Sequence, residues 1–389
     1  MKEGYRLLGD FIRQVDVRNT DGKEENLLGV SVQKMFIPSI ANTVGTDFTK
    51  YKVVKRGQFT YIPDTSRRGD KIGIAILTDY DEGLVSNIYT VFEVKDENEL
   101  LPEYLMLWFS RPEFDRYARF KSHGSVREIM DWDEMCKVEL PVPSIDKQRS
   151  IVKAYQTITE RIELKRRIND NLEATAQAVF QEQFASFYGA DELPDGYRII
   201  NLDNLCTVKG GKRLPADCKL LDTPTDHPYI RVRDVGSNRY VCLTNQFQYI
   251  DEETYSAISR YIVNTGDIVI SIVGTIGLLG KIHSSLDKAN LTENCVKLAN
   301  IHTVTSDYLY YTLCYKKQIK EIDLLTVGAV QAKLPMYNIQ SMKILVPPTK
   351  AIEAFQRKMN VLNEQIEANT VEIQKLYELE EVLLAKLSD

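Results

Sequence analysis

The chain has 389 residues, 43% hydrophobic and 27% charged, with a net charge of −6, a composition ordinary for a globular protein of two or three domains. No run approaches the ~20 apolar residues that span a bilayer, and the charged opening MKEGYRLLGDFIRQ lacks the apolar block of a signal peptide, so a cytoplasmic location is expected. Six cysteines without a C-x-x-C pair and four dispersed histidines predict reduced, mostly buried thiols and no metal site.

In chain order, Tyr5-Arg6 leads into β-branched and aromatic runs at 53–63, 72–78 and 84–94, set between turn signals; these predict strands. Residues 101–120 read as helix. Gly124-Ser125-Val126 and Leu140-Pro141-Val142-Pro143 follow. After Pro143, Ile151, Tyr155, Ile158, Ile162, Asn169, Leu172, Ala176 and Val179 mark one face of a long helix, with Lys165 and Asn169 at its two polar steps. A second front portion starts near Tyr197-Arg198, with strands predicted at 267–273 and 294–299 and helix at 306–324. Gly328-Ala329-Val330 and Ile344-Leu345-Val346-Pro347 come next. The last seam runs Ile352, Phe355, Met359, Leu362, Ile366, Asn369, Ile373 and Leu376, continuing to Leu383 and Leu387. Its 3,4 alternation over five heptads is coiled-coil spacing.

The second series repeats the first. Glu103-Tyr104-Leu105 and Asp307-Tyr308-Leu309, the two glycine tripeptides, and the two Pro-containing exits all stand 204 residues apart. Val53–Phe59 resembles Ile262–Ile268 at an offset of 209, and Tyr5-Arg6 resembles Tyr197-Arg198 at 192. The chain therefore reads as a tandem duplication whose front portions have diverged by insertion and deletion. Domains are expected at 1–144 and 188–348, with long helices at 145–187 and 349–389. Each seam carries one asparagine, Asn169 and Asn369, a residue that costs stability but sets register. In an antiparallel pair they fall near one level; the alternative is that both face solvent or another protein.

Catalytic patterns are scarce. Gly274–Lys281 has one residue too many for a phosphate loop and is followed by Ile282 instead of Ser or Thr. The Asn/Asp-Pro-Pro-aromatic tetrapeptide of adenine methyltransferases is missing, and no G-x-S-x-G occurs. Pro63-Asp64 followed by Glu93-Val94-Lys95 matches the carboxylate–lysine pattern of Mg²⁺-dependent nucleases, although Glu93 is equally the solvent face of an alternating strand. No catalytic residue is assigned; this nuclease, using Asp64, Glu93 and Lys95, and a coiled-coil scaffold without a DNA role are the alternatives.

Two variable halves, each closing in a Gly-containing segment, a Pro-rich exit and a long helix, resemble the specificity subunit of type I restriction–modification systems. The motifs are Gly328-Ala329-Val330-Gln331-Ala332-Lys333-Leu334 through Asn338-Ile339 to Val346-Pro347-Pro348, and Gly124-Ser125-Val126-Arg127 to Leu140-Pro141-Val142-Pro143 with Lys147-Gln148-Arg149. Family members often have Glu-Gln where this chain has Lys147-Gln148, and Ile352-Glu353 departs further. The resemblance implies an α+β fold: two similar mixed α/β target recognition domains joined by two long antiparallel coiled-coil helices with pseudo-twofold symmetry. It implies a non-catalytic chain that reads a split double-stranded DNA target. The implied partners are two copies of a methyltransferase subunit and a restriction subunit, which carry S-adenosylmethionine, ATP and Mg²⁺; no membrane is involved.

A helix of about 36 residues is roughly 54 Å long, matching roughly 16 base pairs, so two short blocks around an unread spacer are expected. Charge complicates DNA binding: residues 1–144 hold 20 basic and 24 acidic side chains, and 188–348 hold 17 of each. The DNA face must then be a local concentration of cations, with partners supplying further phosphate contacts. Candidate contacts in the first half are Arg67, Arg68, Lys71, Lys121, Ser122, Ser125 and Arg127. Those in the second are Lys212, Arg213, Arg231, Arg233, Asn238, Arg239, Thr275, Gln331 and Lys333, with Arg and Asn or Gln suited to base edges and Lys and Ser to phosphates.

Overall fold

A computed structural model describes the chain except for residues 1–3, 40–42, 44, 65–70, 123–127, 191, 237–238, 245, 329–331 and 389. It divides into two compact units, 1–163 with 375–389, and 164–374.

In the first unit, the leading strand Tyr5–Leu7 pairs antiparallel with the exit strand Glu139–Pro141, Arg6 opposite Leu140. A four-stranded sheet follows in the order Ile12–Val15, Thr90–Val94, Phe59–Tyr61, Ile74–Ile76. Alternation along Val91-Phe92 sends the two side chains to opposite faces. Phe92 joins a core with Phe59, Tyr61, Trp108, Phe109 and Leu140, while Val91 joins Leu28, Val54, Leu77 and Val85. Phe59 lies directly opposite Phe92 in the sheet and stacks on it with centroids 4.9 Å apart.

The second unit repeats this plan. Arg198–Asn201 pairs with Lys343–Val346, Ile199 opposite Leu345. Its main sheet runs Thr207–Gly210, Cys295–Ala299, Ile268–Ser271, Leu279–Ile282, with a fifth strand, Tyr240–Val241, added at the edge. The 209-residue offset is physical: Gly57 and Gly266 both take positive φ, 82° and 85°, where a side chain is disfavoured. Gln58 and Asp267 close the same turn, accepting hydrogen bonds from the amides of Lys55 and Asn264.

Several sequence expectations are corrected. The run at 53–63 divides into Lys52–Lys55 and Phe59–Tyr61 at that glycine turn, and 84–94 divides into Glu82–Val85 and Thr90–Val94. The helix at 101–120 is two, Pro102–Phe109 and Pro112–Lys121, because Pro112 holds Arg111 extended. The helix at 306–324 breaks at the equivalent residue, Tyr315, without a proline. There a tertiary contact decides: the Tyr315 ring packs on Phe180 and Tyr188. All six cysteines are free thiols, but only Cys206 and Cys295 are fully buried.

The first long helix spans Ile145–Phe184 and the second Thr349–Ala385. Within each unit their segments run antiparallel. In the first, the Thr159 hydroxyl bonds Glu380 at 3.0 Å, and Leu384 and Leu387 pack into the core that Ile151 and Tyr155 border. In the second, Lys165 meets Glu372 at 2.8 Å, and Phe180 and Phe184 meet Phe355 with centroids 6.0 and 5.5 Å apart. Phe180 and Phe184 are fully buried and Val179 only half-buried, so the first seam shifts by one residue near its end. Ile158, Ile162, Ile352, Phe355, Met359, Ile366 and Asn369 are buried; Leu172, Leu362, Ile373 and Leu376 are half-buried. Among the described residues no helix is long and apolar enough to cross a membrane.

Candidate nucleic-acid interface

Each unit locks its exit strand with one tyrosine. Tyr104 donates its hydroxyl to the Pro141 carbonyl at 3.1 Å, and Tyr308, 204 residues on, donates to Leu345 at 2.6 Å. The Tyr308 hydroxyl satisfies the carbonyl of buried Leu345, and the Tyr104 hydroxyl that of half-buried Pro141. Where the first exit becomes helix, fully buried Gln148 donates to the Glu99 and Pro143 carbonyls and accepts from the Leu101 amide. Its positional equivalent is Ile352, which joins the apolar core instead.

Within the helix pair, Asn369 donates to Asn169 at 2.8 Å and accepts from Lys165 and Gln365, each at 3.0 Å. This polar layer satisfies a side chain that is 1% exposed. Sliding the helices would strip Asn369 of partners and leave its amide buried.

The sequence-predicted DNA contacts are placed unevenly. Arg67, Arg68, Ser125, Arg127, Asn238 and Gln331 lie outside the described residues. Lys71 is exposed three residues before the strand Ile74–Ile76. Lys121 ends the helix Pro112–Lys121, its ammonium 5.9 Å from the Tyr117 and Phe120 ring centres. Ser122 donates to the Ala118 carbonyl at 2.6 Å and so closes the helix end.

In the second unit two groups come together. Lys212 donates its amide to the Leu291 carbonyl, and Ile230, next to Arg231, pairs with Leu291 in the sheet; Lys212, Arg213 and Arg231 thus flank one strand. Gly211 makes the crossing possible, since a Cβ there would lie 2.0 Å from the Thr292 carbonyl oxygen. Exposed Arg213 holds Glu293 at 2.8 Å. The second group is Thr275 and Lys333: both are exposed, and Lys333 bridges Val273 two residues before Thr275. Gly274–Lys281 itself is a hairpin turn into the strand Leu279–Ile282, not a phosphate cradle. Arg233 is exposed on the turn Val232–Asp234.

Two assignments change. Arg231 is half-buried and committed to Asp234 through Nε and Nη2, both at 2.7 Å. Arg239 is no surface cation at all: its side chain is 2% exposed and bonds Asp307, Tyr311 and Asn363. Desolvating an arginine requires a matched anion, and Asp307 supplies it. That carboxylate also accepts from Lys281, Gln356 and Asn363 at 2.6, 2.6 and 2.7 Å. Burial would raise the Asp307 carboxyl, but the Lys281 ammonium and Arg239 guanidinium outweigh it and hold it at about 2. Glu173 on the first long helix completes the cluster by accepting from the Tyr311 hydroxyl at 3.0 Å; burial raises its carboxyl. The cluster fastens the second fold's sheet and helix to both long helices inside one unit. A charged Asp307 within an otherwise apolar helical run was the available sequence signal for it.

The carboxylate–lysine pattern of the first half is not a shared site. Glu93 accepts from Arg13 and Gln58, both at 2.7 Å, while Lys95 donates to the Gly9 and Asp10 carbonyls at 2.8 and 3.1 Å. Asp64 bridges Ile129 through its backbone. Among the described residues, no three His, Cys, Asp or Glu side chains gather as a metal site.

Two modules that share the order of four sheet strands, each with its own tyrosine-locked exit strand leading into a long helix, define a duplicated recognition scaffold. A family model for the type I restriction modification DNA specificity domain matches residues 11–174 and again 194–382, and the chain belongs to that family. It is 21% identical to the type I restriction enzyme HindI specificity subunit of Haemophilus influenzae, over 98% of this chain and 97% of that one. It is 22% identical to the MjaIX specificity subunit of Methanocaldococcus jannaschii, over 74% and 68%. The crystal structure of a type I restriction–modification system S subunit from M. genitalium shares the fold, with a TM-score of 0.50 at 15% identity, covering 99% of this chain and 96% of that one.

Proposed function

We propose that this chain is the DNA sequence-specificity subunit of a type I restriction–modification complex. Each half reads one block of a split double-stranded target. The observation that carries this reading is the duplication itself: one specificity module occurs twice in a single chain, with the tyrosine lock repeated. A single module reads one block; two diverged modules read two different blocks.

The chain acts without catalysis of its own. Two methyltransferase copies dock on it and bring S-adenosylmethionine, and a restriction subunit brings ATP-dependent cleavage with Mg²⁺. Support comes from the engaged state of Glu93 and Lys95, the residues best suited to a nuclease. An overall charge of −6 fits a reader that grips DNA inside a larger assembly, where partners add phosphate contacts.

Co-expression with the neighbouring methyltransferase, followed by mapping of methylated adenines, tests the proposal. A split motif with an unread spacer is expected; methylation at a continuous site would overturn it. Replacing residues 188–348 with the same segment of another family member should change one block only. Alteration of both blocks would refute modular reading.

A further inference from the structure

The helices Pro112–Lys121 and Lys316–Leu325, one in each module, carry the same exposed pattern. Phe120 is 81% exposed and Leu324, 204 residues later, is 85% exposed. Large apolar side chains left this open contribute nothing to their own cores, yet both halves keep one at the equivalent place. One turn earlier stands a cation in each, Arg116 and Lys320, both exposed. Residues four apart share a helix face, so each module presents a cation and an apolar tip side by side. In the second module Lys316 extends the stripe by another turn and Lys317 lies beside it, both exposed. None of these three lysines forms an ion pair among the described residues, although the helix also holds Glu321 and Asp323. Arg116 holds Glu113 at 2.9 Å, a surface pair weak enough for a phosphate to replace.

We propose that this helix face is a sequence-independent DNA contact used by both modules, a conclusion that rests on the specificity-subunit reading. The modules are expected to read different bases, so a feature held in common by both and absent from their cores cannot be the reader. It suits what the two blocks share, the phosphate backbone and the stacked base edges. Arg116, Lys316, Lys317 and Lys320 take phosphates, and Phe120 and Leu324 press against the sugar edge or a base step, as apolar wedges do in groove-binding proteins. The stripe also answers the charge problem locally, concentrating cations on a protein that is acidic as a whole.

The test uses the full chain assembled with its methyltransferase subunits and a 40-base-pair duplex, with and without the mapped target. The triple variant Lys316→Ala, Lys317→Ala, Lys320→Ala should lower the salt slope of log K by about 2–3, from roughly 0.9 per phosphate contact. Extrapolated from 1 M salt, that is ~100-fold weaker binding near 0.15 M. Both duplexes should lose equally, and the methylated motif should stay unchanged. Phe120→Ala and Leu324→Ala should weaken both duplexes with the slope intact. Unchanged affinity and slope would overturn the proposal, as would loss of methyltransferase assembly with normal DNA binding by the assembled fraction, which would make the face a protein dock. If the unaltered complex yields no split motif, the specificity reading itself fails, a separate outcome.

Discussion

Replacing Asp307 with Asn removes the anion shared by Arg239 and Lys281 while keeping the side chain's shape. Arg239 is 2% and Asp307 3% exposed at the side chain, so water cannot take over the lost interaction. Breaking a buried pair by removing one partner typically costs about 3–5 kcal/mol. Lys281 can relieve part of this by releasing its proton, since burial already lowers its ammonium; Arg239 cannot. The loss should therefore fall near 3 kcal/mol at neutral pH, a drop of roughly 6–12 °C in Tm for a unit of this size. Urea unfolding with hydrogen exchange would read it, with the loss confined to residues 164–374 and the strand Ile268–Ser271 losing protection. The triple variant Asp307→Leu, Arg239→Met, Lys281→Met should recover most of the stability, because the one carboxyl left in the cluster, Glu173, keeps its hydrogen bond from Tyr311 and burial already favours its protonated form. A loss below about 1 kcal/mol for Asp307→Asn, or a triple variant worse than the single, would refute the reasoning.

Acid should expose the same cluster. With its folded carboxyl near 2 against an ordinary 3.8, Asp307 contributes about 2 kcal/mol above pH 4 that disappears as pH falls toward 2; the slope of stability against pH in that window should flatten in Asp307→Asn. Asn169→Leu or Asn369→Leu alone should destabilise by roughly 1–3 kcal/mol by leaving an amide unsatisfied, whereas the double variant should be near neutral or more stable in denaturant. A double variant as unstable as the sum of the singles would count against the paired layer. Tyr104→Phe and Tyr308→Phe should each cost about 1–2 kcal/mol and fray their own exit strand in hydrogen exchange. Fraying of neither strand would mean that the hydroxyls are not the locks.

Much of the architecture was legible because it is periodic or repeated. The 3,4 spacing of Ile352 through Leu376 dictates a helix with one apolar seam, whatever surrounds it, and the offset of 204 ties Tyr104 to Tyr308 before any coordinate is known. A glycine at 57 and at 266 likewise records a backbone angle that few other residues tolerate. Base-contact candidates were far less legible, since an arginine in sequence carries no sign of its partner. Arg233 and Arg239 look alike on paper, yet one is exposed and the other is matched to an aspartate 68 residues away.

Sequence by itself determined the duplication, the two long helices, the polar step in each seam and the family. Tertiary structure alone decided what the polar and charged groups do. It joined Asn369 to Asn169, removed Arg239 from the surface, broke the helix at Tyr315 where no proline stands, and left Phe120 and Leu324 open at matching positions. The reason is physical: periodicity is a local property of the backbone, whereas burial and the pairing of charges depend on residues brought together from distant parts of the chain.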